Sequence, residues 1–448
     1  MRGTLAGTVE RSPDECYGRS EPERGVFPVC GAHLPGTPVP SIPRSPVTTP
    51  AFDRSAPPGA DYATDPHAVH AALRERGPVH HLPTTDARSA WVVVGHDAVR
   101  AALTDPRLSN DIRHSSHRED DGGHAVGRNM LQTDPPHHTR LRRLVAREFT
   151  GRRVAALRPR VRRIADELLD AIPPSGRTDL VASYATPLPV TVICELLGVP
   201  EADRDSFHRW SDAVVRPDDP RAADAASRTM ADHLAALVEH KRRAPGDDLV
   251  DALILAADRE EDGLTPEELL GMVFLLLVAG HETTVNLIAG AICALLLHPS
   301  QMAALRADPS LLAGAVEEAL RHDGPVVTSA HRFTAEPVEI GGTTVPAGET
   351  VLAVLASASR DPLRFPDPDR FDIRRDARGH SAFGHGVHHC PGAPLARMET
   401  AVALEVLLRR CPDLELDVEP GELVWHTGML RGLRRLPVRY TARPTPGP

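Results

Sequence analysis

Phe383-Gly384-His385-Gly386-Val387-His388-His389-Cys390-Pro391-Gly392 is followed at once by a helical pattern from Ala393 to about Arg410. Glycines at 384, 386 and 392 let the backbone lie against a flat ligand. Cys390 stands just before the helix start, with Pro391 at a natural first helical position. Unpaired amides and the helix dipole there favour a thiolate, the form in which sulfur binds a metal. A buried structural cysteine in a glycine-rich loop is the plainer alternative, but it would not need so many fixed positions.

Upstream, Thr265-Pro266-Glu267-Glu268 is a capping box with Pro at N1, and His298-Pro299 closes the segment it opens. The spacing predicts a rod on the order of 50 Å at ~1.5 Å per residue. It is apolar nearly all round, so it must run through the protein centre. Its middle reads Ala279-Gly280-His281-Glu282-Thr283-Thr284. Such a polar cluster on a buried helix needs partners or a task; a satisfied core network or a kink would also account for it.

Helical patterns recur at 68–76, 96–104, 138–149, 160–172 and 223–243, and strand candidates are few, at 90–94, 339–345 and 350–354. Without βαβ alternation this predicts a mainly α fold with small β-sheets. Residues 1–50, rich in Pro, Gly, Ser and Thr, read as a disordered tail, leaving 51–448 as one domain. The net charge of −10 argues against a nucleic-acid binder. Cys16, Cys30, Cys194, Cys293, Cys390 and Cys411 have neither metal-finger nor disulfide-scaffold spacing. No signal peptide is visible. The longest apolar run, 269–280, stops at His281 and Glu282, short of the roughly 20 residues of a membrane span. A cytoplasmic protein off the membrane is expected.

Phe383, Gly386, His388, Cys390 and Gly392 match Phe-x-x-Gly-x-His-x-Cys-x-Gly, and in this the chain resembles the cytochromes P450. Glu318-Ala319-Leu320-Arg321 looks like that family's Glu-x-x-Arg, and His138 with Arg142 like its His-x-x-x-Arg. The resemblance implies the P450 fold, with haem b between the long central helix and the cysteine loop. It makes Cys390 the iron ligand, whose thiolate donation favours O–O cleavage. It makes Phe383, Gly384 and Gly392 part of the haem bed, and His138, Arg142, Arg332 and His380 partners of the haem propionates. Glu318, Arg321 and Arg370 become a structural group behind the haem. Glu282 and Thr283 become the acid–alcohol pair, Thr283 bonding oxygen and Glu282 relaying solvent protons. One departure is Pro391, where Leu or Ile is frequent.

The same resemblance implies a monooxygenase using O₂, fed from NAD(P)H through a separate ferredoxin reductase and ferredoxin. Ten arginines and one acid in 140–163 fit a propionate clamp plus a face for an acidic ferredoxin. Desaturation or oxidative coupling on the same fold, or a haem sensor, are the alternatives. The finer likeness, in Gly280–Ile288 and Leu423–Gly432, is to bacterial enzymes that hydroxylate or epoxidise macrolides and other polyketides. Lining segments are expected at 113–130, 190–219, 275–283, 326–330 and 428–430, under a lid near 195–230. Glu119-Asp120-Asp121 is a candidate amine anchor. A monomer is expected.

Overall fold

The capping box at Thr265 forms: its hydroxyl accepts from the Glu268 amide at 3.2 Å, and the Glu268 carboxylate accepts from the Thr265 amide at 2.9 Å. The helix it opens runs from Pro266 to Leu297 and closes on His298. The computed structural model describes residues 52, 62, 65–84, 88–116, 126–215, 220–259, 263–426 and 428–444, all within the compact unit Ile42–Pro448. The proposed tail 1–50 and the acidic loop 119–121 lie outside the described residues.

Among the described residues the helices are α1 (Pro66–Arg76), α2 (His96–Thr104), α3 (His137–Ala146), α4 (Gly151–Asp170), α5 (Pro187–Leu197), α6 (Arg204–Val215), α7 (Pro220–Arg243), α8 (Leu249–Arg259), α9 (Pro266–Leu297), α10 (Pro299–Ala307), α11 (Leu312–Asp323), α12 (Leu355–Ser359) and α13 (Ala393–Arg410). The strands are β1 (Val79–Pro83), β2 (Ser89–Val93), β3 (Leu108–Ser109), β4 (Ser175–Asp179), β5 (Arg332–Thr334), β6 (Val338–Ile340), β7 (Thr343–Val345), β8 (Thr350–Ala353), β9 (Glu415–Leu416), β10 (Trp425–His426), β11 (Gly432–Leu433) and β12 (Pro437–Thr441). The main sheet has the order β1-β2-β8-β5-β3, with β2 and β8 parallel. The small sheets are β4-β12-β9, β6-β7 and β10-β11.

Helices α5, α7, α8, α11 and α13 pack around α9 and share its large aliphatic core. Taken whole, α9 is the one helix among the described residues long and apolar enough to cross a membrane, but 67% of its apolar window is buried inside the protein. It is the core helix that its all-round apolarity predicts.

Three local expectations change. The strand read at 339–345 is a hairpin, because Gly341 and Gly342 both take positive φ (54° and 80°) and turn the chain between β6 and β7. Helix α4 begins at Gly151, not near 160, and carries Pro159 inside it. Pro159 lacks the amide that would serve the Ala155 carbonyl, and Ala155 is exposed, so water can take that bond. The first-turn proline of α13 is Pro394, since the N-cap is Gly392 and Pro391 precedes it.

Behind the cysteine loop, Glu318 and Arg321 are completely buried and joined by two hydrogen bonds of 2.7 and 2.9 Å. The remaining Arg321 donors go to the carbonyls of Ser359, Pro368 and Arg370. The expected part for the Arg370 side chain is corrected. That side chain is mostly exposed and lies 3.5 Å from Asp372; the guanidinium reaching Glu318 is Arg375, at 3.3 Å. Lys241, the only lysine of the chain, is also buried. Its ammonium sits between Asp248 and Asp251 under Gly198, where any side chain would strike it.

Candidate functional site

A cavity of about 290 Å³ lies between α9 and the cysteine loop. Helix α9 contributes Leu275, Leu276, Ala279, Gly280, Thr283 and Thr284, and the loop contributes Phe383, Gly384, Cys390 and Gly392. The loop is fixed by its own backbone. The Cys390 amide donates to the Phe383 carbonyl at 2.9 Å, and Arg397 lies over the Phe383 ring, 4.5 Å from its centroid. Gly384 and Gly386 are left-handed (φ 71° and 75°). A Cβ on Gly386 would stand 2.9 Å from the Leu103 carbonyl oxygen, so neither position suits another residue. Burial pushes the Cys390 thiol up, while the Gly392 and Ala393 amides and the Arg142 and Arg397 charges pull it down. Burial prevails, so a stable thiolate here calls for a further cation at the sulfur.

His138, Arg142, Arg332 and His388 all reach this cavity. Arg142 donates to the His389 carbonyl at 2.6 Å and Arg332 to that of Leu108 at 3.2 Å. The His138 and His388 rings are 4.2 Å apart. Both ring nitrogens of His138, Nε2 of His388 and Nε of Arg332 are buried without a protein partner. Burial, then the charges of His138, Arg332 and Arg142, drive His388 down to about 3, and burial brings Arg332 to about 10. A cluster of donors that repel one another calls for an anion.

His380 is not among these residues. Its Nε2 lies 3.1 Å from Glu317 and its Nδ1 accepts from the Ala382 amide, on the side where Arg397 also grips Glu317. The expected propionate role of His380 is corrected on this ground, because a neighbouring carboxylate already holds it. Of the histidines near the cysteine, His385 and His388 reach the cavity, and His388 is the one beside His138. It was legible only as a signature position, and its place two residues before Cys390 was the available signal.

The pair Glu282-Thr283 is split by the helical turn. Thr283 lines the cavity, with its hydroxyl donating to the Ala279 carbonyl at 2.9 Å. Glu282 is buried on another face, its Oε1 3.5 Å from His281 Nε2 and 3.9 Å from His208 Nδ1 of α6. Of the expected lining segments, Met130, Ile193, the α9 residues, Val326, Ser329 and Ala330 reach the cavity. Segment 428–430 stands one layer back, the Met429 carbonyl accepting from the Val327 amide at 2.9 Å. Of the ten arginines in 140–163, five pair with acids of the protein: Arg140 with Glu268, Arg153 with Glu148, Arg158 and Arg162 with Glu405, and Arg160 with Glu195.

A cysteine presented to an apolar cavity under a long buried helix, with cationic donors along its side, defines a haem-thiolate enzyme. The chain belongs to the cytochrome P450 family, whose profile, described as Cytochrome P450, matches residues 205–420. It is 57% identical over 385 residues to cytochrome P450 monooxygenase PikC of Streptomyces venezuelae, covering 85% of this chain and 92% of that protein. It is 44% identical to the mycinamicin IV hydroxylase/epoxidase of Micromonospora griseorubida, covering 86% and 99%. The tirandamycin C-bound structure of the P450 monooxygenase TamI superposes with a TM-score of 0.80 at 44% identity, covering 84% and 98%. This chain is accordingly a monooxygenase of secondary metabolism, an oxidoreductase that uses haem and O₂ and acts on a small molecule. The orphaned donors of His138, His388 and Arg332, the glycine bed and the waiting sulfur fit a flat dianionic cofactor.

Proposed function

We propose that this chain oxygenates a hydrophobic polyketide, a macrolactone in the first instance, by hydroxylation or epoxidation. The observation that carries this reading is the sharing of one apolar cavity by Cys390 and Thr283. Cys390 would hold the iron. Phe383, Gly384 and Gly392 would bed the ring, and His138, Arg142, Arg332 and His388 would hold its two carboxylates. When bound, the haem supplies the activation of O₂. The chain's own residues do the rest. Leu275, Leu276, Ile193 and Val326 exclude water and hold an apolar substrate. The Thr283 hydroxyl, parked on the Ala279 carbonyl, turns into the cavity as a proton donor. Glu282, one residue away, stores the proton that resupplies it.

The macrolactone class rests on the resemblance in Gly280–Ile288 and Leu423–Gly432 and on the likeness to the mycinamicin IV hydroxylase/epoxidase. Glu119-Asp120-Asp121 would anchor an amino sugar if the substrate carries one. Electrons would come from NAD(P)H through a ferredoxin reductase and a ferredoxin, the latter docking on the exposed Arg143, Arg152 and Arg163 of α3 and α4. A cytoplasmic monomer without nucleic-acid or membrane partners completes the proposal.

Thr283→Ala tests the site. Product formation should fall roughly 10²–10⁴-fold in the proton-delivery step, with NAD(P)H consumption diverted to peroxide and the ferrous–CO spectrum unchanged. Unaltered product per NAD(P)H would remove Thr283 from the mechanism. Titration of the haem-loaded protein with macrolactones should shift the Soret band to shorter wavelength; a panel without any shift would remove the substrate class.

A further inference from the structure

His281 is buried, and its Nδ1 lies 2.8 Å from the Leu277 carbonyl. A carbonyl only accepts, so Nδ1 carries a hydrogen, and a ring with that one hydrogen keeps a lone pair on Nε2. That atom is buried without a hydrogen-bond partner and faces Glu282 Oε1 at 3.5 Å. Two acceptors at this distance need a proton or a cation between them. His208, on α6, brings a third donor atom, Nδ1, to 3.9 Å from the same oxygen. The three ligand atoms lie within 4.8 Å of one another.

We infer that His208, His281 and Glu282 form a binding site for a divalent transition-metal ion, which clips α6 to the central helix. Imidazole and carboxylate together suit zinc and its neighbours. Bonds of ~2.0–2.1 Å in tetrahedral geometry set ligand atoms about 3.3 Å apart, so the His281–Glu282 edge is nearly at its final length. His208 must close by about an ångström. The donation from His281 to a backbone carbonyl is the outer hydrogen bond that metal-bound imidazoles make, and it presents Nε2 to the ion. His208 is 31% exposed at its side chain, so the ion enters from solvent. Three protein ligands leave a fourth position for water. The ion would hold α6 in place and occupy the carboxylate of Glu282. Inhibition by the ion rests on the role given to Glu282 above; binding of the ion does not.

Equilibrium dialysis of the full haem-loaded chain against Zn²⁺, read by elemental analysis, tests the site. At equal free zinc, His208→Ala should bind one zinc fewer than the wild type, with both showing the same ferrous–CO spectrum. Turnover, referred to each protein's own zinc-free rate, should need at least ten-fold more zinc for half-inhibition in His208→Ala. Equal zinc content in the two proteins up to millimolar free zinc would overturn the inference. A His208-dependent zinc that leaves wild-type turnover untouched keeps the metal site and removes Glu282 from proton delivery.

Discussion

Arg321 has five N–H donors and five bonds: two to Glu318, and one each to the carbonyls of Ser359, Pro368 and Arg370. A lysine has three donors without the planar fork, so Arg321→Lys leaves buried acceptors unpaired. It should cost about 3–5 kcal/mol in equilibrium unfolding. The neighbouring arginines separate side chain from backbone. Arg375→Ala removes bonds to Glu318 and to the carbonyls of Pro366 and Asp367 and should cost about 1–3 kcal/mol. Arg370 contributes its carbonyl, which alanine keeps, so Arg370→Ala should stay within about 0.5 kcal/mol of wild type. Equal losses for Arg370→Ala and Arg375→Ala would show that the Arg370 side chain does carry the load expected of it. Sequence spacing cannot separate these two, nor His380 from His388. Each pair offers the same chemistry a few residues apart, and only the packing of Glu317 and Glu318 decides which member is taken.

The glycines of α9 make the same point for a whole helix. A Cβ on Gly271 would stand on the Arg128 carbonyl oxygen and 2.7 Å from the Gly127 carbonyl carbon. Both are backbone atoms that cannot step aside, so Gly271→Ala should destabilise by roughly 1–3 kcal/mol. At Gly290 the nearest atom to such a Cβ is the Asp323 carbonyl oxygen at 4.0 Å. Gly290→Ala should therefore stabilise by about 0.5–1 kcal/mol through helix propensity alone. Denaturant unfolding of the two variants checks the opposite signs; a loss in both would mean that α9 tolerates no added carbon on the α11 side either. The ends of α9 were legible because Thr265, Pro266, Glu268 and His298-Pro299 are local signals. The start of α4 was not, since Pro159 reads as a boundary and is tolerated only because Ala155 faces water. The β6–β7 hairpin was missed because Gly341-Gly342 interrupts a run whose flanks both look like strand. The cysteine loop was legible as a glycine-rich turn before a helix, though the first-turn proline is Pro394 and not Pro391. The division of Glu282 and Thr283 follows from the turn between adjacent helix positions, but the approach of His208 on α6 to Glu282 is carried by no local pattern.

Across the molecule, several histidines are buried neutral. His70 is wholly buried among Phe52, Tyr62 and His67. Burial first, then the charges of His67, Arg74, Arg360 and Arg431, hold it well below its usual 6.5; His67 is lowered too, by burial and by Arg360. In the unfolded chain these groups take protons below about 6.5, and in the folded protein they do not. Stability is therefore complete above that pH and declines as pH falls, by up to about 1.4 kcal/mol per pH unit for each such group. The thermal midpoint should drop between pH 7 and pH 5. His70→Phe, which keeps a ring beside Phe52 and Tyr62, should shrink the drop; an undiminished drop would place the acid sensitivity elsewhere. The burial of Lys241 between two aspartates reaches beyond stability, into what can be attached to the protein. The sequence offers lysine-directed reagents one side-chain amine, and two carboxylates already clamp it. Such reagents would then leave the folded enzyme's side chains unlabelled, its arginine-rich faces included, and labelling of Lys241 would report the opening of this clamp.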